Sequence, residues 1–296
     1  MAEPSIHDAE SVPAASLEAL AEKARLMRQA VFQTICNGGG GHIPSSLSII
    51  ELLVVLYHRT LRIDPSNPAD PDRDRFILSK GHACVSLYAA LAMRGFFDHE
   101  MLETFGQKNT ILGGHPDMLK ISGVESSTGA LGHGFPFGVG HALAGKIDGR
   151  NYRTFVILGD GECQEGSVWE AALFAPQQEL DNLVAIIDHN RLQALDQLTE
   201  IVGLGSLAQK FEAFGWAVKE VDGHNLGRLI ETFDGLPFVP KKPNLIVAHT
   251  TKGKGVSFME NEPIWHYRMP NPEEMEQACN ELGIEKQSMH CFGSKR

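Results

Sequence analysis

Hydrophobic residues in the first half of the chain recur at three- and four-residue spacing, a pattern typical of amphipathic helices. The first such pattern starts after Ser16, a residue type that caps helix N-termini, and continues to Ile35. The same reasoning predicts a second helix at 46–58 and further helices near 83–94 and 135–146. A turn-rich stretch containing Asp and Pro separates the second helix from the third.

The pattern changes at about residue 150, where short apolar runs rich in β-branched residues alternate with helical stretches. These runs are 154–158, 183–187, 216–221 and 245–248. Such alternation is typical of a parallel sheet wound with helices, because a strand buried on both faces is apolar throughout. The predicted fold class is therefore α/β, with a doubly wound parallel sheet and helices on both faces.

The pattern also divides the chain into three segments. Residues 1–15 are predicted to be a flexible tail, residues 16–270 a single large domain, and residues 271–296 a polar C-terminal helix followed by a tail. With 296 residues, 43% of them hydrophobic, the chain has enough apolar material for a large buried core.

Charge and cysteine content exclude several classes of protein. A net charge of −11 without a basic cluster argues against a nucleic-acid partner. The longest apolar stretch, 49–57, is far shorter than the roughly 20 residues of a membrane span. An acidic N-terminus does not resemble a secretory signal, and five cysteines without a CxxC motif fit a reducing compartment. A cytoplasmic protein without a membrane partner is expected.

Polar residues follow two of the predicted strands directly. Asp160 stands between Gly159 and Gly161 after one run, and Asn190 follows the next. Ligands of parallel sheets bind beyond the carboxyl ends of the strands, and neighbouring strands lie about 4.8 Å apart. Singly, each residue is more often a turn or surface residue, but together they favour a shared cation. A carboxylate and an amide oxygen suit Mg²⁺, which completes its shell with phosphate and water.

A possible capping box lies just beyond the first of these strands. Ser167 and Glu170 have the required spacing, which predicts a helix that begins near Gly161 and directs its N–H groups toward the same corner. Helix N-termini attract phosphate, so a phosphate-bearing ligand is favoured there.

The Gly159-Asp160-Gly161 sequence, followed about thirty positions later by Asn190, resembles the thiamine-diphosphate motif. The flanking sequence, over about residues 17–270, resembles the N-terminal half of a transketolase. The resemblance implies that Asp160, Asn190 and the backbone carbonyl of Leu192 bind Mg²⁺, which bridges the diphosphate of thiamine diphosphate. It also implies that Gly161 permits close approach of the cofactor.

Further stretches carry the same resemblance, among them GGGGHIPSSLS, RDRFILSKGHA, LGGHPD and KGKGVSFMENEPIWH. By this resemblance His82 and His266 contact the diphosphate, while His42 and His115 lie near the hydroxyl groups of the substrate. His42, His115 and His266 are the implied catalytic histidines. A single histidine after a glycine is more often a packed or solvated residue, but four in matching contexts favour a site.

Two other segments matter for the cofactor and the substrate. The resemblance implies that Gly129 and Leu131, in SSTGALGHG, bind the cofactor, and that Glu165 lies where two cofactor domains meet. The sequence departs from the family after His266, where Tyr267 and Arg268 replace a glycine that is common there. The substrate edge near these residues is therefore expected to be unusual.

Full-length transketolases continue into a pyrimidine-binding domain whose glutamate activates the cofactor, and no part of this sequence resembles that domain. The expected protein is one subunit of a split transketolase, active only with a separate C-terminal subunit in a dimer or heterotetramer. It would transfer a two-carbon ketol unit from a ketose to an aldose, with the sugars or sugar phosphates left open.

Two alternatives to this function remain open from the sequence. One is a subunit of another thiamine-diphosphate enzyme, similar to a 1-deoxyxylulose-5-phosphate synthase or a 2-oxoacid dehydrogenase. The other is a non-catalytic homologue that binds a partner or a nucleotide.

Overall fold

The computed structural model describes residues 16–285 and residue 289. The predicted N-terminal tail at 1–15 and most of the predicted C-terminal tail lie outside the described residues.

The first helix, α1, spans Leu17–Gly38 and begins where the sequence predicted. The Ser16 hydroxyl caps it by accepting a hydrogen bond from the backbone N–H of Ala19 at 3.2 Å. Helix α4 spans Cys84–Arg94, close to its predicted limits, and ends at Gly95 in the left-handed conformation. Both helices are therefore set by local capping chemistry that is legible in the sequence.

The predicted helix at 46–58 is wrong as a continuous element. The segment forms two short helices, α2 (Ile43–Leu47) and α3 (Ile50–Val55), followed by one turn of π-helix at Leu56–Thr60. The break lies at Ile49, whose backbone leaves helical geometry with φ −111° and ψ 14°. It directly follows Ser48, whose hydroxyl donates a hydrogen bond to the buried Asp188 carboxylate at 2.8 Å, so a tertiary contact coincides with the end of α2.

Five parallel strands form one sheet in the order β1-β2-β3-β5-β4. Four of them match the predicted runs, and the fifth, β1, was not predicted because its apolar run, 76–78, is only three residues long. The strands are β1 (Arg75–Leu78), β2 (Thr154–Gly159), β3 (Leu183–His189), β4 (Ala217–Asp222) and β5 (Asn244–His249).

The sheet is covered on both faces, which confirms the doubly wound α/β prediction. Alternate residues of β2 face opposite cores: Phe155 and Ile157 pack with α1 and α4, whereas Val156 and Leu158 pack on the other side. The remaining helices are α5 (Gly134–Ile147), α6 (Gly166–Gln177), α7 (Leu198–Val202), α8 (Leu207–Phe214), α9 (Leu226–Asp234) and α10 (Pro272–Leu282).

Helix α10 packs into the same core as α1, through Met275, Ala278, Cys279 and Leu282. Among the helices that the structure describes, none combines the length and apolar character that crossing a bilayer demands.

Candidate active site

The carboxyl edge of β2 and β3 brings Asp160 and Asn190 together. Gly159 at the end of β2 pairs in register with Asp188 of β3, so the residues that follow both strands share one corner. Asp160 is almost fully buried. Its Oδ1 accepts the backbone N–H of Gly161 at 2.8 Å, and its Oδ2 accepts that of Arg191 at 2.5 Å. Two backbone N–H groups therefore fix the carboxylate in place, and His189 Nδ1 lies 3.3 Å from its Oδ2.

The side-chain amide of Asn190 is oriented by its neighbours. Its Nδ2 donates a hydrogen bond to Asp188 Oδ2 at 3.0 Å, and its Oδ1 accepts one from the backbone N–H of Leu192 at 3.1 Å. A carbonyl-type oxygen has two lone pairs, so Oδ1 keeps one for a further partner. Asp188 thus directs an oxygen, rather than an NH₂ group, away from the strand end.

A buried ion pair between Lys80 and Asp188 lies next to Asn190 and stabilises this corner of the site. Lys80 Nζ lies 2.5 Å from Asp188 Oδ2, and both side chains are almost fully buried. Asp188 also accepts hydrogen bonds from the hydroxyls of Ser48 and Thr250. Burial alone would raise the pKa of Asp188, but the Lys80 ammonium and these donors lower it below its ordinary value. The aspartate is therefore ionised at neutral pH.

Three histidines form a compact cluster on the opposite wall. The ring centroid of His42 lies 5.0 Å from those of His82 and His266. Burial, together with nearby cationic groups, lowers the pKa of His42 to about 4 and that of His266 to about 3. Burial also lowers the pKa of His82 well below its ordinary value. All three imidazoles are consequently neutral at pH 7, and each can both donate and accept a hydrogen bond.

Lys252 is a second buried cation at the site, and the sequence analysis missed it together with Lys80. Its Nζ donates to the backbone carbonyl of Gln193 at 2.9 Å and lies 3.1 Å from His266 Nδ1. Burial and the nearby Lys80 ammonium lower the pKa of Lys252 to about 8. Both lysines lie within segments that carry the family resemblance, SKGHA and TKGKG. A lysine between small residues has no local pattern that indicates burial, so neither was predicted as a site residue.

A cavity of about 380 Å³ joins these groups. Its lining contains Lys80 and Lys252 as well as these predicted residues: His42, His82, His115, Gly129, Leu131, Asp160, Gly161, Asn190, Leu192 and His266. Glu165 is exposed and does not line the cavity. The structure brings the predicted set together, and the role of each residue stays a prediction.

Packing around two of the lining glycines is tight. A Cβ added at Gly129 would lie 2.9 Å from His115 Cδ2, so a side chain there would displace the histidine. A Cβ at Gly161 would lie 3.1 Å from Gln193 Cγ. Small residues at both positions therefore keep the cavity open.

The predicted capping box is wrong. Helix α6 begins at Gly166 with Glu165 as its N-cap, so Ser167 lies inside the helix, where its hydroxyl donates a hydrogen bond to the carbonyl of Gly132 at 2.7 Å. The hydroxyl of Ser167 therefore bonds to a residue distant in sequence and does not cap the helix in the way that the local pattern had predicted. A short 3₁₀ helix at Gly161–Gln164 intervenes instead.

Glu162 is a further buried acid that the sequence analysis did not single out. It accepts hydrogen bonds from the Ser79 hydroxyl and from the backbone N–H groups of Gly132 and Gly159. Burial raises the pKa of Glu162 above its ordinary value. Its contacts tie the loop before α5 to the ends of β1 and β2, so we regard it as a structural support of the cavity.

The donor set fits the implied metal and cofactor. One carboxylate and one amide oxygen at a shared corner suit Mg²⁺, which needs few protein ligands when phosphate oxygens and water complete its shell. Two lysines and neutral histidines suit a diphosphate. Among residues 16–285 and 289 no three His, Cys, Asp or Glu side chains cluster as a metal site would require.

The sequence profile described as "Transketolase, thiamine diphosphate binding domain" matches residues 19–292. The chain belongs to the transketolase family. This confirms the resemblance inferred from the motifs.

Several relatives have nearly the same length. An apulose-4-phosphate transketolase subunit of Phocaeicola vulgatus is 43% identical over 272 residues, which cover 91% of this chain and 96% of the relative. The 6-deoxy-6-sulfo-D-fructose transketolase subunit SqwG of Clostridium sp. is 42% identical, with coverage of 88% and 94%. These matches favour a transketolase subunit over the other thiamine-diphosphate enzymes considered above.

Longer transketolases match only in part. Human transketolase is 39% identical over 274 residues, which cover 92% of this chain and 43% of the human protein. The crystal structure of transketolase from Campylobacter jejuni superposes with a TM-score of 0.86 at 29% identity, covering 92% of this chain and 44% of that one. The chain therefore spans less than half the length of the solved transketolases that it matches.

Proposed function

We propose that this chain is the subunit of a split transketolase that binds the diphosphate and Mg²⁺ of thiamine diphosphate. The observation that carries the proposal is the cavity, in which Asp160, Asn190, two buried lysines and the histidine cluster converge. Subunit-named relatives that align over almost their whole length support the split arrangement. A second chain would supply the remaining wall of the site.

Mg²⁺ would be held by Asp160, Asn190 Oδ1 and the carbonyl of Leu192. The orientation of the Asn190 amide supports this assignment, because Asp188 occupies its NH₂ group and leaves the oxygen with a free lone pair. The diphosphate would lie between the metal and the wall formed by Lys252, His82 and His266. Thiamine diphosphate held by these residues would supply the carbanion chemistry that breaks and re-forms the carbon–carbon bond next to the ketose carbonyl.

The chain's own residues would bind and orient the sugar. His42 and His115 would exchange hydrogen bonds with substrate hydroxyls. Because the pKa of His42 is about 4, its imidazole is neutral at pH 7 and can both donate and accept a hydrogen bond. Lys252 keeps a hydrogen bond to His266 Nδ1 and so fixes which ring nitrogen of His266 faces the cavity. We propose ketoses as donors, because both subunit relatives named above carry ketose names.

An exposed apolar surface on α5 and α6 supports a protein partner. Phe137, Ile147, Leu173 and Phe174 are 48%, 74%, 61% and 43% exposed. Both helices begin beside the cavity, where Glu165 caps α6. Four large exposed apolar side chains on two helices that contact each other are the observation that supports an interaction site here. We propose that this surface and Glu165 are buried against the C-terminal subunit in a heterotetramer with two copies of each chain.

We also propose a cytoplasmic location. Cys36, Cys84, Cys163 and Cys279 are all buried thiols, and burial raises the pKa of both Cys84 and Cys163, which keeps these two thiols protonated. Buried protonated thiols are compatible with a reducing compartment.

The test is to assay the chain alone and with its candidate partner for ketol transfer, using thiamine diphosphate, Mg²⁺, a ketose donor and an aldose acceptor. We expect no transfer by the chain alone and transfer on addition of the partner. Full transfer by the isolated chain would refute the split arrangement. If the chain is instead a non-catalytic homologue, thiamine diphosphate with Mg²⁺ will not raise its melting temperature, even with the partner present.

A further inference from the structure

Tyr267 lies at the rim of the candidate active site. It directly follows the short 3₁₀ helix Pro263–His266, and 61% of its surface is exposed. Its ring meets His42 edge-on, with the centroids 4.8 Å apart. A Cβ added at Gly40 would lie 3.6 Å from the Tyr267 hydroxyl, so the phenol leans over the glycine-rich segment before His42. Tyr267 does not itself line the cavity, but its ring packs against His42, which does, and the rest of the ring is open to solvent.

The neighbouring cation is held away from this rim. The Arg268 guanidinium stacks 4.0 Å from the centre of the Trp265 ring and donates to both carboxylate oxygens of Glu274, at 2.7 and 2.9 Å. Glu274 is itself fixed, because it forms a capping box with Asn271 at the start of α10. Arg268 is thereby committed to a salt bridge and a cation–π contact, and its charge is balanced.

The cations that line the cavity lie deeper. Lys80 and Lys252 are each only 2% exposed, and Lys80 is paired with Asp188. At the rim beside His42 the chain therefore presents an uncharged aromatic surface. Such a surface attracts the C–H groups of a sugar and gives its hydroxyls one polar partner, the phenol O–H.

We propose that Tyr267 is a specificity-determining residue that contacts the carbons of the sugar beyond the transferred two-carbon unit. The inference rests on the proposed function. Tyr267 selects donors by the length of this carbon chain. It does not bind a distal phosphate group. A donor that ends close to the reacting carbonyl does not reach the ring.

The experiment compares donors of different length on the reconstituted complex of this chain with its partner. Hydroxypyruvate serves as the three-carbon donor, and fructose and fructose 6-phosphate serve as six-carbon donors without and with a distal charge. For Tyr267→Ala we expect kcat/KM for both six-carbon donors to fall about five- to tenfold, which is the effect expected from the loss of one aromatic contact. The fall should come mainly from a higher KM. We expect the value for hydroxypyruvate to change less than twofold.

Two further variants distinguish the loss of a direct contact between Tyr267 and the sugar from a general disturbance of the local structure. Tyr267→Phe keeps the ring and should retain most of the preference for long donors. Ile264→Ala is the matched control, because Ile264 is 69% exposed on the 3₁₀ helix that directly precedes Tyr267 and, unlike the Tyr267 ring, has no contact with His42 among those described above. It should leave all three donors unchanged.

The outcomes distinguish this inference from the proposed function. An equal change for long and short donors would mean that Tyr267 acts through His42, and no change would mean that it does not contact the donor; either result overturns the inference. A fall confined to fructose 6-phosphate would assign Tyr267 to the phosphate and overturn it also. If the wild-type complex transfers no ketol unit from any donor, the proposed function itself fails.

Discussion

Replacing Lys80 by methionine tests whether the buried ion pair with Asp188 organises the site. Methionine keeps the length and apolar stem of lysine but removes the ammonium that lies 2.5 Å from Asp188 Oδ2. Asp188 is fully buried and would retain only the hydrogen bonds from Ser48, Asn190 and Thr250. The Asp188 carboxylate would then lack its direct counter-ion next to the predicted metal ligands, with the Lys252 ammonium as the remaining cation that acts on it.

Breaking a buried pair from one side typically costs about 3–5 kcal/mol, because the remaining charge loses its counter-ion but stays desolvated. We expect Lys80→Met to lower the free energy of unfolding by about this amount. The double variant Lys80→Met/Asp188→Asn removes the stranded charge and should recover about half of the loss or more. Lys120→Met, at an exposed pair with Asp117, is the matched control and should change little.

The pH dependence of the free energy of unfolding provides a second, independent test. In the wild type the pKa of Asp188 lies below its ordinary value, so its stabilising contribution is present above pH 4 and constant between pH 5 and 7. Without Lys80 the effect of burial is opposed only by the remaining hydrogen-bond donors, so we expect the pKa of Asp188 in the variant to rise above its unfolded value. Stability is then lost as the pH rises through the folded pKa, so the single variant should become more stable on acidification from pH 7 to 5.

Urea unfolding followed by tryptophan fluorescence at both pH values measures these differences. The reasoning would be refuted by a single variant within about 1 kcal/mol of wild type, well under the cost of a stranded buried charge. It would equally fail if the double variant were no more stable than the single one.

The remaining predictions concern the predicted cofactor and metal residues. Asp160→Ala should abolish Mg²⁺-dependent binding of thiamine diphosphate in calorimetry, and should cost about 1–3 kcal/mol of stability because two backbone N–H groups lose their acceptor; unchanged affinity would remove Asp160 from the metal site. His82→Ala and His266→Ala should weaken cofactor affinity more than they lower the rate at saturating cofactor, whereas a pure rate defect would assign them to the substrate. Since the pKa of Lys252 is about 8 and an anion favours its ammonium, cofactor affinity should fall as the pH rises from 7 to 9. Lys252→Met should flatten that profile, and an unaltered slope would contradict the assignment.

Local chemistry explains the elements that were predicted correctly. The first helix followed from Ser16 and the spacing of apolar residues, because an N-cap and an amphipathic face act within a few residues of each other. Three of the four predicted strands, β2, β3 and β5, followed from apolar runs that are buried on both faces, whereas the edge strand β4 followed from its apolar ends alone and leaves Lys219 and Glu220 exposed. Gly159 and Asp188 lie in register, so the residues after both strands reach one corner, as the run ends indicated.

The elements that were missed depend on distant partners. The four residues of β1 are too few for a distinct pattern, and the strand exists because β2 pairs with it. The helix predicted at 46–58 breaks where Ser48 reaches Asp188, 140 positions away in sequence. Ser167 leaves its predicted capping role for the carbonyl of Gly132. None of these contacts has a signature within its own segment.

The sequence by itself determined the fold class, because strand and helix periodicity are local properties, and its motifs determined the family and many of the residues that line the cavity, among them Asp160, Asn190 and the histidines. Only the tertiary structure decided the electrostatics. It placed Lys80 against Asp188 and Lys252 against His266, and it buried the histidines enough to keep them neutral. Desolvation and charge pairing depend on which segments meet in space, and that information belongs to the folded chain as a whole.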